Sequence, residues 1–165
     1  MFFRKRKKKE EINDINTNQA TTADFSPRQS YAIILDFFFQ NIEQLISYSD
    51  RLETMMDLSS FDEEYAALLE ITKNHTSFTM ETYNSSKETY KDELVGLDSQ
   101  CLNIDYIINK SMDMEINGLN KMIEGFENKD QTLSQSGLDE SSAALATLNP
   151  VIKDMGEVIK EIKFG

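Results

Sequence analysis

The chain has 165 residues, enough for a single domain with or without a tail. It contains only two prolines and six glycines, which favours long helices over many strands, and its single cysteine excludes an internal disulfide. The net charge of −12 excludes nucleic acid and anionic lipid as ligands for most of the surface, because like charges repel.

The first 25 residues (1–25) are predicted to form a flexible arm with a basic patch. Residues 1–11 carry six of the 17 basic groups, whereas the other 154 residues carry 11 basic and 27 acidic groups. Apolar rings beside clustered positive charge are typical of reversible attachment to an anionic membrane surface. The alternatives are a solubilising tail, an acidic protein partner and, least favoured, nucleic acid. Its candidate contact residues are Phe2, Phe3, Arg4, Lys5, Arg6, Lys7, Lys8 and Lys9.

The first predicted helix covers residues 27–57. Ser26 is a good cap and Pro27 is favoured in a first turn, and apolar residues then recur at alternating steps of four and three, as in a heptad seam. The apolar surface is unusually broad near the start, which indicates a helix that is central or shared with a partner. We therefore expect an oligomer or partner interface formed by Tyr31, Ile34, Leu35, Phe38, Phe39, Ile42 and Leu45.

A second helix is predicted over residues 60–95. A capping box begins at Ser60, and Gly96 offers the left-handed conformation that ends many helices. The apolar stripe of this helix includes Phe78 but is polar in its middle, so looser packing is expected there. Another capping box begins at Ser85, and a break near that residue is the alternative to the break at Gly96.

The third predicted helix covers residues 98–127. Its apolar seam begins at Cys101, whose thiol is expected to be a small buried hydrophobe. Ser111, Gly118 and Gly125 are spaced by seven residues and therefore share one edge of the helix. Small side chains on one edge let a neighbouring helix approach closely.

Residues 127–137 are polar and are predicted to form a loop, followed by a fourth helix over residues 138–163. The apolar phase of that helix continues across Pro150, which favours one kinked helix over two separate ones. Residues 26–165 are therefore predicted to form an all-α domain, an elongated antiparallel bundle of four helices with coiled-coil-like packing and no sheet.

Catalytic and ligand-binding patterns are missing from the sequence. His75 is the only histidine and has no metal-ligating or triad partner at a characteristic spacing, so a structural role is expected for it. Adjacent carboxylates on a helix diverge by about 100° and do not converge on one ion. No phosphate-binding glycine motif occurs. The sequence thus predicts neither an enzyme nor a bound metal or cofactor.

The function expected from this pattern is that of an interaction or scaffolding protein. Long apolar seams without site chemistry indicate association with itself or with a protein partner, and nucleic acid is disfavoured. A cytoplasmic sensory or signalling bundle is the alternative, motivated by the polar stretch in the second helix. No signal peptide is visible, and the most apolar run, residues 31–39, is too short to span a membrane. We therefore expect a cytoplasmic protein, with peripheral membrane attachment through the arm as an option.

Overall fold

The computed structural model describes residues 25–58 and 62–164, and the described chain is helical without any strand. The all-α prediction is confirmed. The four helices are α1 (Pro27–Leu58), α2 (Glu63–Thr89), α3 (Ser99–Asn128) and α4 (Gln131–Phe164).

Polar side chains placed just before each helix set where it begins. At α1 the predicted cap is confirmed: Ser26 Oγ accepts the backbone N–H of Gln29 at 3.1 Å, and Gln29 Oε1 accepts the backbone N–H of Ser26 at 3.0 Å. This exchange satisfies two N–H groups that the helix itself leaves free. The carboxylates of Asp62, Asp98 and Asp130 cap α2, α3 and α4 in the same way, at 2.9 to 3.0 Å. Asp62 therefore caps α2, whereas the predicted cap Ser60 lies outside the described residues.

The connection between α2 and α3 begins earlier than predicted. Helix α2 ends at Thr89, and residues 90–96 form successive turns in which Glu93 N–H donates to Tyr90 O and Leu94 N–H donates to Lys91 O. Gly96 closes the connection with a φ of +89°, a conformation that costs other residues more than glycine. The alternative break near Ser85 is wrong, because that residue lies within α2.

The loop predicted over residues 127–137 is wrong, because α4 already begins at Gln131. Lys129 alone turns the chain, in the left-handed conformation with a φ of 53°, and Asp130 caps the new helix. Most of the polar residues that suggested a loop lie on the solvent side of the first two turns of α4, whereas Ser134 is buried against Gly125 of α3. Exposed side chains there are Gln131, Thr132, Gln135 and Ser136.

The helices form an antiparallel ring in which α1 and α3 each pack against both α2 and α4. One end of the bundle is closed by Arg28 at the start of α1, whose guanidinium pairs with Asp98 at 2.9 Å and with Glu161 near the end of α4. Pro150 lies inside a continuous α4, as predicted. None of the described helices is long and apolar enough to cross a lipid bilayer.

Helices α3 and α4 form the closest contact in the bundle. A Cβ atom added at Gly118 would lie 2.7 Å from Gly137 O, and one added at Gly137 would lie 2.8 Å from the backbone N of Met122. Only glycine leaves room for backbones this close. The predicted small-residue edge of α3 is therefore confirmed as a helix contact, and we call this contact the α3–α4 seam.

Candidate functional site

The apolar core is divided into two clusters along the length of the bundle. The first joins Tyr31 to Leu45 of α1 with the end of α2, the start of α3 and the end of α4. The second contains Leu52 of α1, the start of α2, the end of α3 and Leu138 of α4. Each helix therefore crosses from one apolar cluster to the other near its middle.

Every helix carries buried polar side chains at this crossing. Between the two clusters, α1 buries a serine, α2 three threonines, α3 a glutamate and α4 a serine. We call this set the polar layer, and its members are Ser49, Thr72, Thr76, Thr79, Glu115 and Ser141. The polar middle that the sequence indicated in the second helix is thus part of a layer shared by all four helices.

The threonines of the polar layer satisfy their hydroxyls within α2. Thr72, Thr76 and Thr79 each donate to the backbone carbonyl four residues earlier, at 2.7 to 2.9 Å. This bond lets a hydroxyl be buried without a partner on another helix. These threonines therefore need no hydrogen-bond partner on another helix.

Glu115 is the unusual member, because its carboxyl is fully buried. The Ser141 hydroxyl donates to Oε1 across the α3–α4 seam at 2.6 Å, and Oε2 has no partner among the described residues. Burial raises the pKa of Glu115 from an ordinary value of 4.5 to about 7, and the Ser141 hydrogen bond opposes that rise. Sequence reasoning missed this residue, although it lies between Ser111 and Gly118 on the small-residue edge.

A second buried polar group lies at the end of the bundle that Arg28 closes. The hydroxyls of Tyr31 and Tyr83 are 2.5 Å apart, and Tyr83 donates to Asp105 Oδ1 at 2.7 Å. Lys87 also donates to that oxygen, at 2.5 Å. Burial raises the pKa of both tyrosines, so they stay protonated as hydrogen-bond donors. The network explains how two tyrosines without exposed surface are accommodated.

The residues predicted to form a partner interface lie mostly inside the bundle. Six of the seven are at most 5% exposed and pack in the first apolar cluster, and Phe39 is half-buried against it. The broad apolar start of α1 arises because three helices surround it, so these side chains offer no free surface in the folded chain. The six buried residues are Tyr31, Ile34, Leu35, Phe38, Ile42 and Leu45.

Large apolar side chains are instead exposed on α2 and α3. Phe78 is 58% exposed and meets the half-buried ring of Phe37 edge-on, with centroids 6.3 Å apart. Ile71 is 48% exposed and precedes Phe78 by two helical turns. We call Phe37, Ile71 and Phe78 the outer aromatic patch. On α3, Leu102 and Tyr106 are also exposed. The sequence assigned Phe78 to the buried stripe, which is wrong.

The surface depressions lined by described residues include one between two helices and one on a single helix. One, of about 250 Å³, lies between α1 and α4 and is lined by Ile46, Ser49, Asp50, Glu53, Ser142, Leu145, Ala146 and Asn149. The other, of about 580 Å³, is lined by side chains of α4 alone, Gln131, Thr132, Gln135, Ser136 and Asp139. The first is below the roughly 300–1,000 Å³ of ordinary ligand pockets, and the second has no opposing wall from another described helix.

His75 and Cys101 have the structural surroundings that the sequence predicted. His75 Nε2 is 3.0 Å from the Asn41 carbonyl, and its ring meets Tyr48 edge-on. Cys101 is a free, buried thiol. Within residues 25–58 and 62–164, no three histidine, cysteine or acidic side chains are grouped to hold a metal ion.

The basic patch of the arm, from Phe2 to Lys9, lies outside the described residues, so its predicted contacts stay predictions. Comparison with known proteins adds no assignment, because no family model, curated protein or solved structure matches the chain.

Proposed function

We propose that this chain is a non-enzymatic bundle protein that acts by binding a protein partner through the outer aromatic patch. The observation that carries the proposal is the exposure of Phe78 and Ile71 on one face of α2. An isolated exposed apolar residue is ordinary, but neighbouring aromatic and aliphatic side chains on one helix face are typical of interaction sites.

The charge of the molecule favours a different protein over a second copy. The 154 residues after the basic run carry 27 acidic and 11 basic groups, so two such bodies repel each other. Exposed glutamates such as Glu70 and Glu81 lie on the adjoining face of α2, beside the patch. The partner we propose therefore presents an apolar surface bordered by lysines and arginines.

Crosslinking in the native cell, followed by mass spectrometry, tests the surface. Replacing Phe78 and Ile71 by serine should remove crosslinks to the partner and lower its recovery at least tenfold. Val95→Ser is the matched control, because Val95 is 73% exposed in the connection before α3 and outside the patch. Equal recovery with both variants would contradict the proposal, and light scattering would reveal self-association instead.

The basic arm is a second element of the proposal. We propose that residues 1–11 tether the bundle to an anionic membrane surface, with each basic residue contributing about 1 kcal/mol at most. Vesicles containing phosphatidylserine should bind the full chain at low salt and release it at high salt. Vesicles of neutral lipid are the control, and equal binding to both would contradict the tether.

A sensory bundle remains a second candidate function, and the polar layer is the observation that favours it. The threonine hydroxyls of the layer bond only within α2, so no polar contact there ties α2 to one register against its neighbours. Such a bundle should show a shift of its melting temperature with a specific small metabolite. A broad set of metabolites without any shift would remove this candidate.

A further inference from the structure

Glu115 is placed where an ionised carboxylate is poorly accommodated. Its side chain has no exposed surface, and one donor, the Ser141 hydroxyl, reaches it. An ionised carboxylate has about four acceptor positions to satisfy and a full charge to desolvate, whereas the protonated carboxyl is neutral. With Oε2 buried and without a partner in the described chain, the protonated form is the better match.

The α3–α4 seam keeps the carboxyl in this position. On one side of Glu115, Ser111 Oγ donates to the Ala144 carbonyl at 2.5 Å. On the other side, the backbones of Gly118 and Gly137 are in contact. Because the helices touch both above and below it, the carboxyl is held between α3 and α4, away from solvent.

No charged group in the described part of the chain compensates for the burial of Glu115. Among the charged side chains of the surrounding helices, Lys121 and Glu140 pair with each other at 2.6 Å. His75 of α2 faces the Asn41 carbonyl of α1. Desolvation and the Ser141 hydrogen bond are the causes of the raised pKa of Glu115, and no charge on α1, α2 or α4 contributes to it.

We propose that the Glu115 carboxyl is a proton-binding site, occupied in the folded bundle up to neutral pH, whose deprotonation weakens the packing of α3 against α4. The site is distinct from the outer aromatic patch and does not rest on the proposed function. Because the pKa of Glu115 is higher in the folded chain than its ordinary 4.5, the folded state holds more protons between pH 4.5 and about 7. Stability therefore falls as the pH rises through that window.

Urea unfolding of the full chain between about pH 5 and about pH 8 tests the site. The unfolding constant of the wild type should rise roughly a hundredfold relative to that of Glu115→Gln, which keeps an acceptor for Ser141 but cannot ionise. The comparison cancels the contribution of every other titrating group. Glu124→Gln is the matched control, an equal charge change at an exposed position of α3, and should follow the wild type.

Parallel pH profiles for the wild type and Glu115→Gln would overturn the proposal. If Glu115→Gln does not fold, the carboxyl can be followed in the intact wild type by carbon-13 NMR. One glutamate carboxyl resonance should then titrate near neutral pH, and Ser141→Ala should move it to still higher pH because the one donor is lost. Glutamate resonances that all titrate near pH 4.5 would overturn it equally.

Discussion

At the scale of single residues, the free-energy cost of burying a polar atom in this bundle depends on whether that atom finds a partner. The Tyr31 and Tyr83 hydroxyls are inside the apolar core, yet Asp105 completes a chain of hydrogen bonds for both. A buried group that loses its partner bears the full cost of desolvation, about 1–3 kcal/mol. The stability of this end of the bundle should therefore be sensitive to the loss of the Tyr83 hydroxyl oxygen.

Removing the Tyr83 hydroxyl tests that expectation. Tyr83→Phe should lower the free energy of unfolding by about 1–3 kcal/mol, because it leaves the Tyr31 hydroxyl buried without its partner. Urea unfolding followed by circular dichroism gives the measurement. Tyr106→Phe removes the same atom from a ring that is 63% exposed and should change stability by less than about 0.5 kcal/mol. Equal effects at both positions would show that the network contributes nothing specific.

Glu115 shows which features of a buried site can be predicted from residue patterns and which cannot. The spacing of Ser111, Gly118 and Gly125 predicted a helix contact, and Glu115 lies on that same edge, so its burial was available to sequence reasoning. The partner of Glu115 could not be predicted in this way, because Ser141 follows 26 residues later and meets Glu115 only when α3 and α4 pack in one particular register.

At the scale of the helices, the boundaries that local chemistry sets were predicted best. The start of α1 follows from Ser26 and Pro27, which act on the first turn alone. The stretch 127–137 misled because polar residues are typical of loops and also of the solvent face of a helix. Only the contact between α3 and α4 distinguishes a loop from a helix here, since Gly125 and Ser134 lie on opposite sides of the turn and meet.

The α3–α4 seam predicts opposite outcomes for one substitution at two glycines. Gly118→Ala should lower the free energy of unfolding by about 1–3 kcal/mol or more, because the new Cβ meets the backbone of α4. Gly156→Ala should raise it by about 0.5–1 kcal/mol, because nothing lies within 4 Å and alanine favours a helix. Thermal unfolding of both variants is the measurement. A stabilised Gly118→Ala would contradict the close approach of these helices.

At the scale of the whole molecule, the four-helix architecture was predicted correctly, and most side chains predicted as a partner interface are buried in the folded chain. An apolar seam identifies a face that will be buried, without stating whether the same chain or a partner covers it. Here α2, α3 and α4 cover most of the broad apolar start of α1. Phe37 and Phe78 remain at the outer edge of the α1–α2 contact.

Replacing Phe38 and Phe78 by alanine, one at a time, distinguishes a core residue from a surface residue. Phe38 is fully buried, so Phe38→Ala should lower the free energy of unfolding by about 3–5 kcal/mol. Phe78 is 58% exposed, so Phe78→Ala should lower it by less than about 1 kcal/mol while weakening partner binding. Chemical unfolding and a binding assay on both variants provide the measurement. A stable Phe38→Ala variant that loses its partner would restore the interface first expected from the sequence.

Local patterns along the chain were enough to establish that it makes long helices with apolar faces, because caps, chain breakers and apolar periodicity act within a few residues of one another. Which helices meet, and in what register, was decided only in the tertiary structure. Contacts between residues far apart in the chain bury most of the side chains predicted as an interface. They also hold α3 against α4 and enclose the carboxyl of Glu115. Burial is a property of the assembled helices, and no single segment contains it.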